Sequence, residues 1–302
     1  MKLVEEIRAL KKELNAVILV HNYQLPEVQR CADYLGDSLG LSIQAAKTSA
    51  DIIVFCGVYF MAETAKVLSP EKTVLIPDKK AGCPMADMIT AEQLRVLKAQ
   101  HPGAKVLCYV NTSAEVKAEC DLCCTSANAM SVVKKAFLPE DDIIFVPDKY
   151  LAYYTASQSG RSFITWEGYC PVHKDITAEQ IDTQRKLHPG SVVIVHPECT
   201  PEVTAKADKV LSTEGMCRFV RETDAADIIV GTEIGMLDRL RRENSAKRFY
   251  PVSEKAACED MKRITLEKLR DALKFKQYEV TIPESIRKQA YQSIRRMLDF
   301  SE

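Results

Sequence analysis

Apolar residues fall in short unbroken runs, each bracketed by polar turns. Ala16-Val17-Ile18-Leu19-Val20, the run in Asp51-Ile52-Ile53-Val54-Phe55 and Thr73-Val74-Leu75-Ile76 are the first three. Runs of this length and β-branched content suit parallel strands covered on both faces. Between them the spacing turns helical. Leu3, Ile7, Leu10 and Leu14 share one face of an opening helix. Further helices are predicted over about 26–34, ending at Gly36, from Asp37-Ser38 onward, and over 59–68.

The same grammar then runs twice more. Val106-Leu107-Cys108-Tyr109-Val110, residues 142–146 and Phe163-Ile164-Thr165-Trp166 are the strands of a second copy. Its helices are expected over 115–120 and from Thr125-Ser126. Val192-Val193-Ile194-Val195-His196, residues 227–230 and Arg248-Phe249-Tyr250-Pro251-Val252 belong to a third, with helices from Glu202 and from Ser212-Thr213. Helical stretches are expected near 90–97, 177–187 and 261–273, and a last helix over 283–300. Glu27-Val28, Glu115-Val116 and Glu202-Val203 recur at steps of 88 and 87, as do Asp33, Asp121 and Asp208. The chain is therefore read as three αβ units, 1–104, 105–190 and 191–302, related by a pseudo-threefold axis. Strand and helix alternate, so the fold class is α/β with parallel sheets and right-handed crossovers.

Equivalent positions in such units meet near the axis, and ligands bind at the carboxyl ends of parallel strands. Four polar triplets fall there: His21, Tyr109 and His196; Tyr23, Asn111 and Glu198; Ser38, Ser126 and Thr213; and Cys83, Cys170 and Cys258. A hydroxyl at a helix start is usually a plain cap, and a buried cysteine usually part of the core. Their joint recurrence argues for a site. Three helix starts aimed at one centre, each with a hydroxyl, suit phosphate or carboxylate groups. The histidines add cationic or donor capacity. Three thiolates fit zinc with a fourth ligand, or three corners of a [4Fe–4S] cube whose fourth iron is open as a Lewis acid.

Composition narrows the setting. The chain has 302 residues and a formal net charge of −1, so no basic field invites nucleic acid. No apolar run is long enough to span a membrane, and the first residues lack a signal-peptide core, so a cytoplasmic protein is expected. There are eleven cysteines. In a reducing compartment they point to burial or metal rather than disulfides. The local group Cys120, Cys123 and Cys124 reads as core, with Cys120 in a helix.

His21-Asn22-Tyr23-Gln24, Gly36-Asp37-Ser38, residues 61–66, Tyr109-Val110-Asn111-Thr112, Thr125-Ser126-Ala127-Asn128, His196-Pro197-Glu198-Cys199 and Ser212-Thr213 together resemble quinolinate synthase of the iron–sulfur type. The resemblance covers nearly the whole chain. It implies three αβα-sandwich domains and a [4Fe–4S] cluster on Cys83, Cys170 and Cys258. It implies condensation of iminosuccinate with dihydroxyacetone phosphate to quinolinate, phosphate and water in NAD biosynthesis. An L-aspartate oxidase or dehydrogenase would supply the imine. Substrate contacts are implied for His21, Ser38, Tyr109, Asn111, Ser126, His196, Glu198 and Thr213. Tyr23 and Glu198 are assigned as the acid–base pair, and His173, near Cys170, as a positioning residue. A C-x-x-C-x-x-C stretch found near the C-terminus of some members is missing here, where only Cys258 stands. A different open-iron hydro-lyase and a non-enzymatic iron–sulfur or zinc protein are the rival readings.

Overall fold

The computed structural model describes residues 2–300. After α1 (Lys2–Glu13), the first unit runs β1 (Ala16–His21), α2 (Pro26–Gln29), β2 (Tyr34–Gly36), α3 (Ser38–Lys47), β3 (Ile52–Cys56), α4 (Tyr59–Leu68), β4 (Thr73–Leu75) and α5 (Ala91–Gln100). The second runs β5 (Lys105–Tyr109), α6 (Ala114–Ala118), β6 (Leu122–Cys124), α7 (Ala129–Ala136), β7 (Ile143–Val146), α8 (Lys149–Ser159), β8 (Ile164–Thr165), α9 (Pro171–Lys174) and α10 (Ala178–Leu187). The third runs β9 (Val192–Val195), α11 (Pro201–Lys206), β10 (Lys209–Val210), α12 (Thr213–Glu222), β11 (Asp227–Gly231), α13 (Met236–Glu243) and β12 (Arg248–Pro251), before α14 (Leu266–Phe275) and α15 (Glu284–Asp299).

Each unit holds one four-stranded sheet with the same order: β2-β1-β3-β4, β6-β5-β7-β8 and β10-β9-β11-β12. All strand pairs within them are parallel. The central strands are buried along nearly their whole length, as unbroken apolar runs require. Each fully buried Val, Ile or Leu contributes roughly 1.5–3 kcal/mol. The α/β fold of three similar units with parallel sheets is therefore as expected.

Three strands were not expected. Residues 26–34 do not form one helix: α2 stops at Gln29, and Tyr34–Gly36 is the edge strand β2. Its counterparts β6 and β10 have three and two residues. The recurring aspartates explain the break. Asp33, Asp121 and Asp208 accept the backbone N–H of Ile18, Val106 and Val193 at 2.8, 2.8 and 2.7 Å. Each one ties the chain to the central strand just where the edge strand begins. Two further expectations are corrected. Thr125-Ser126 opens a turn and α7 begins only at Ala129, because the Asn128 side chain folds back to accept the Thr125 N–H at 2.7 Å. Cys120 lies two residues past the end of α6.

The chain's end leaves the third sheet. Leu269, Ala272 and Leu273 of α14 and Ala290, Ile294 and Met297 of α15 are buried in the core shared by the first two units. α14 packs on α1, and α15 lies against α4, α6 and β6.

Candidate active site

The three sheets aim their carboxyl ends at one cavity. Members of all four recurring triplets line it: His21, Tyr109 and His196; Tyr23, Asn111 and Glu198; Ser38, Ser126 and Thr213; Cys83, Cys170 and Cys258. His173 lines it as well.

The helix starts need separating into caps and free hydroxyls. Asp37 caps α3 by accepting from Gly40 N, and Ser212 caps α12 by accepting from Gly215 N. Thr125 takes the matching place, its hydroxyl accepting from Ala127 N at 3.2 Å. The next residue in each unit, Ser38, Ser126 or Thr213, is thus relieved of capping and faces the cavity. The units interlock at these points. Asn22, after β1, donates to Thr213 Oγ1 at 2.8 Å, and His196, after β9, meets Ser126 Oγ at 3.2 Å.

The electrostatics favour neutral imidazoles. Burial lowers His21 and His196 to about 3, against the pull of Glu198. Of the cationic or donor capacity expected of them, burial favours the neutral donor and acceptor form. Burial also opposes the charge on Glu198, yet His173 and His196 and the hydrogen bonds from His173 and Tyr109 outweigh it and lower its pKa. Tyr109 Oη donates to Glu198 Oε1 at 2.5 Å, and His173 Nδ1 lies 2.7 Å from Oε2. Burial, with Glu198 adding, holds Tyr23 well above the usual phenol value. Its Oη lies 2.6 Å from Thr232 Oγ1, which lies 2.8 Å from His173 Nε2. Tyr23 and Glu198 are therefore joined through Thr232 and His173. The buried Asn111 Oδ1 has no partner among the described residues.

The three cysteines share one local geometry. The carbonyls of Cys83, Cys170 and Cys258 accept the N–H four residues on, from Asp87, Lys174 and Lys262, at 3.2, 2.9 and 3.2 Å. Each thiol thus opens a single helical turn, and the N–H groups of Ala86, His173 and Met261 point at the sulfurs. Burial raises all three thiols, Cys83 to about 12; Cys258 adds to it at Cys83, Glu198 and Cys83 at Cys170, and Glu233 and Asp260 at Cys258. Thiols so placed are poor as free thiolates and gain most from a cation that replaces the proton. The same cysteines also line an outer cleft with Pro84, Pro171 and Asp260. A second grouping could hold a single ion: ligand atoms of Cys170, His173 and Glu198 lie within 4.8 Å of one another. Gly168 lets the Cys170 loop approach the second sheet, since a Cβ there would stand 2.5 Å from Pro147 O.

The family described as quinolinate synthetase A protein matches residues 5–299. The chain belongs to this family. It is 55% identical over 293 residues to the quinolinate synthase of Dehalococcoides mccartyi, covering 97% of this chain and 96% of that one. Quinolinate synthases of Methanoregula boonei and Alkaliphilus metalliredigens are 53% identical over 296 residues and 49% over 298. The alignments cover 98% of this chain, and 97% and 98% of those relatives. Membership makes this chain an enzyme acting on small molecules, and among the described residues no helix is long and apolar enough to cross a membrane.

Thr232, Glu233 and Lys262 escaped the repeat reading. Glu233 is buried, pairs with Lys262 Nζ at 2.9 Å and accepts the N–H of Cys258 at 3.0 Å. Sheet register makes Gly57, Pro147 and Thr232 the residues that follow equivalent strand ends. Their steps are 90 and 85 rather than 87 and 88, and their types differ, so no periodic signal marks them.

Proposed function

We propose that the chain condenses iminosuccinate with dihydroxyacetone phosphate to give quinolinate, phosphate and water, a step of de novo NAD synthesis. The observation that carries this reading is the sharing of one cavity by three uncapped hydroxyls and three cysteines. Ser38 and Thr213, with the N–H groups of their helix starts, and Ser126, in the turn before α7, bind the phosphate and the carboxylates. Asn111 and the neutral His21 and His196 complete the hydrogen bonding. Glu198, ionised, accepts protons at its carboxylate, and Tyr23, protonated, donates from Oη. Thr232 and His173 keep the two in one hydrogen-bonded chain, and His173 orients Glu198.

Cys83, Cys170 and Cys258 are the residues we assign to a [4Fe–4S] cluster. When bound, it supplies an iron without a protein ligand, able to act as a Lewis acid. The closeness of Cys170, His173 and Glu198 favours a second reading, a single divalent ion. Two of its members are already engaged with each other, and it leaves Cys83 and Cys258 without a role. The imine fits supply by an L-aspartate oxidase or dehydrogenase, and the setting fits the cytoplasm. The unit boundaries are placed near 104/105 and 190/191.

The test is anaerobic reconstitution with iron and sulfide, followed by a quinolinate assay with both substrates. Iron and sulfide in equal amounts, near four of each per chain, and quinolinate formed only with dihydroxyacetone phosphate present are expected. Turnover without the phosphate ester, or one iron and no sulfide, would overturn the reading.

A further inference from the structure

Arg239 on α13 is 7% exposed and makes contacts beyond its own unit. Nη1 and Nη2 hold the two Glu214 oxygens at 2.7 and 3.1 Å, and Nε reaches Glu243 Oε1 at 2.8 Å. Nη1 also donates to Asn22 Oδ1 at 2.8 Å. Asn22 is fully buried, and its Nδ2 meets Thr213 Oγ1 at 2.8 Å.

The chemistry of these groups fixes the direction of every bond. A guanidinium has only donors, so the Asn22 amide must turn its oxygen to Arg239 and its NH2 to Thr213. The Thr213 hydroxyl must then accept from Asn22, which leaves its own proton over. Among the described residues no protein acceptor takes that proton, and the side chain faces the cavity. The other two units lack this device: Val110 and Pro197 occupy the places equivalent to Asn22.

We propose that Arg239 is a positioning residue which, through Asn22, presents the Thr213 hydroxyl to the substrate as an obligate hydrogen-bond donor, selecting an anionic oxygen at that point of the cavity. This rests on the reading of Thr213 as a substrate contact and adds what orients it. The bond is made to bound substrate as well as to later states, so its loss raises KM more than it lowers kcat.

The test uses the full-length reconstituted enzyme, with KM and kcat for dihydroxyacetone phosphate, calorimetric titration of the full chain with inorganic phosphate, and thermal melting. Thr213→Val sets the full loss, about 10- to 100-fold in KM for a bond to a charged acceptor. Asn22→Asp, which can only accept, turns the Thr213 proton away from the cavity and approaches that loss. Arg239→Met frees the amide to flip and raises KM several-fold, whereas Arg239→Lys, still a pure donor, restores it. Adding Thr213→Val to Asn22→Asp costs nothing further, and phosphate affinity follows the same order. Additive effects of Asn22→Asp and Thr213→Val overturn the proposal while the proposed reaction stands. So does an Arg239→Met variant that melts lower at unchanged KM, or an Arg239→Lys variant no better than Arg239→Met. A wild-type chain that makes no quinolinate and binds no phosphate overturns both.

Discussion

Two trios of cysteines in this chain look alike by residue type and differ in where they stand and in what faces their sulfurs. Cys83, Cys170 and Cys258 come one from each unit, stand in loops past strand ends, and face a cavity rich in polar groups. Cys108, Cys120 and Cys123 come from the second unit alone and lie against one another, and Cys123 Sγ approaches Ser293 Oγ of α15 at 3.5 Å. Burial raises the thiols in both trios. In the first, backbone N–H groups from the following helical turn offset it. In the second, the offset includes the buried ammonium of Lys117, which also donates to the Thr112 carbonyl. Thiol chemistry is thus set by the backbone that presents the sulfur, and the count of cysteines says little.

The largest expected effect breaks the first trio. Cys170→Ser should remove most bound iron and cost more than about 100-fold in activity, since even partners outside the ligand set cost 10–100-fold. Metal analysis and turnover check it, and full iron retention would place the metal elsewhere. The second effect is electrostatic. Burial, with Glu115 adding and Lys117 opposing, raises Glu63 to about 7. The folded chain therefore holds a proton that the unfolded chain releases from about pH 4.5 upward. Stability from this group is present below that pH and lost as pH rises through about 7, by about 3 kcal/mol. Urea midpoints at pH 5 and 8 should differ in the wild type and converge in Glu63→Gln. Third, Gly168→Ala forces a Cβ against the Pro147 carbonyl and should cost about 1–3 kcal/mol of stability along with part of the iron. The smallest effect is at the second trio. Cys123→Ala should lower stability by about 1 kcal/mol through lost packing, with iron content and turnover unchanged.

Much of this was legible in the sequence because repetition made it so. A strand end, a helix start and a loop cysteine recur at nearly constant steps, and equal steps in three units mean convergence on one axis. Helix capping was only half legible. The hydroxyls of Ser38, Ser126 and Thr213 were found, but only coordinates show that Asp37, Thr125 and Ser212 relieve them of capping. The edge strands β2, β6 and β10 escaped because two or three residues carry no detectable period of their own. Thr232 escaped because the loops before it differ in length between units. The protonation of His21 and His196 depends on burial, which a linear pattern does not state.

The path of the final helices has a consequence for how the enzyme comes into being. Because α14 and α15 complete the hydrophobic interior of the first two units, those units emerge from the ribosome with an open flank. Residues of α14 and α15 must return to cover units translated well before them. That interior therefore stays unfinished until α15 has been made, and deleting α15 should harm solubility before it touches chemistry.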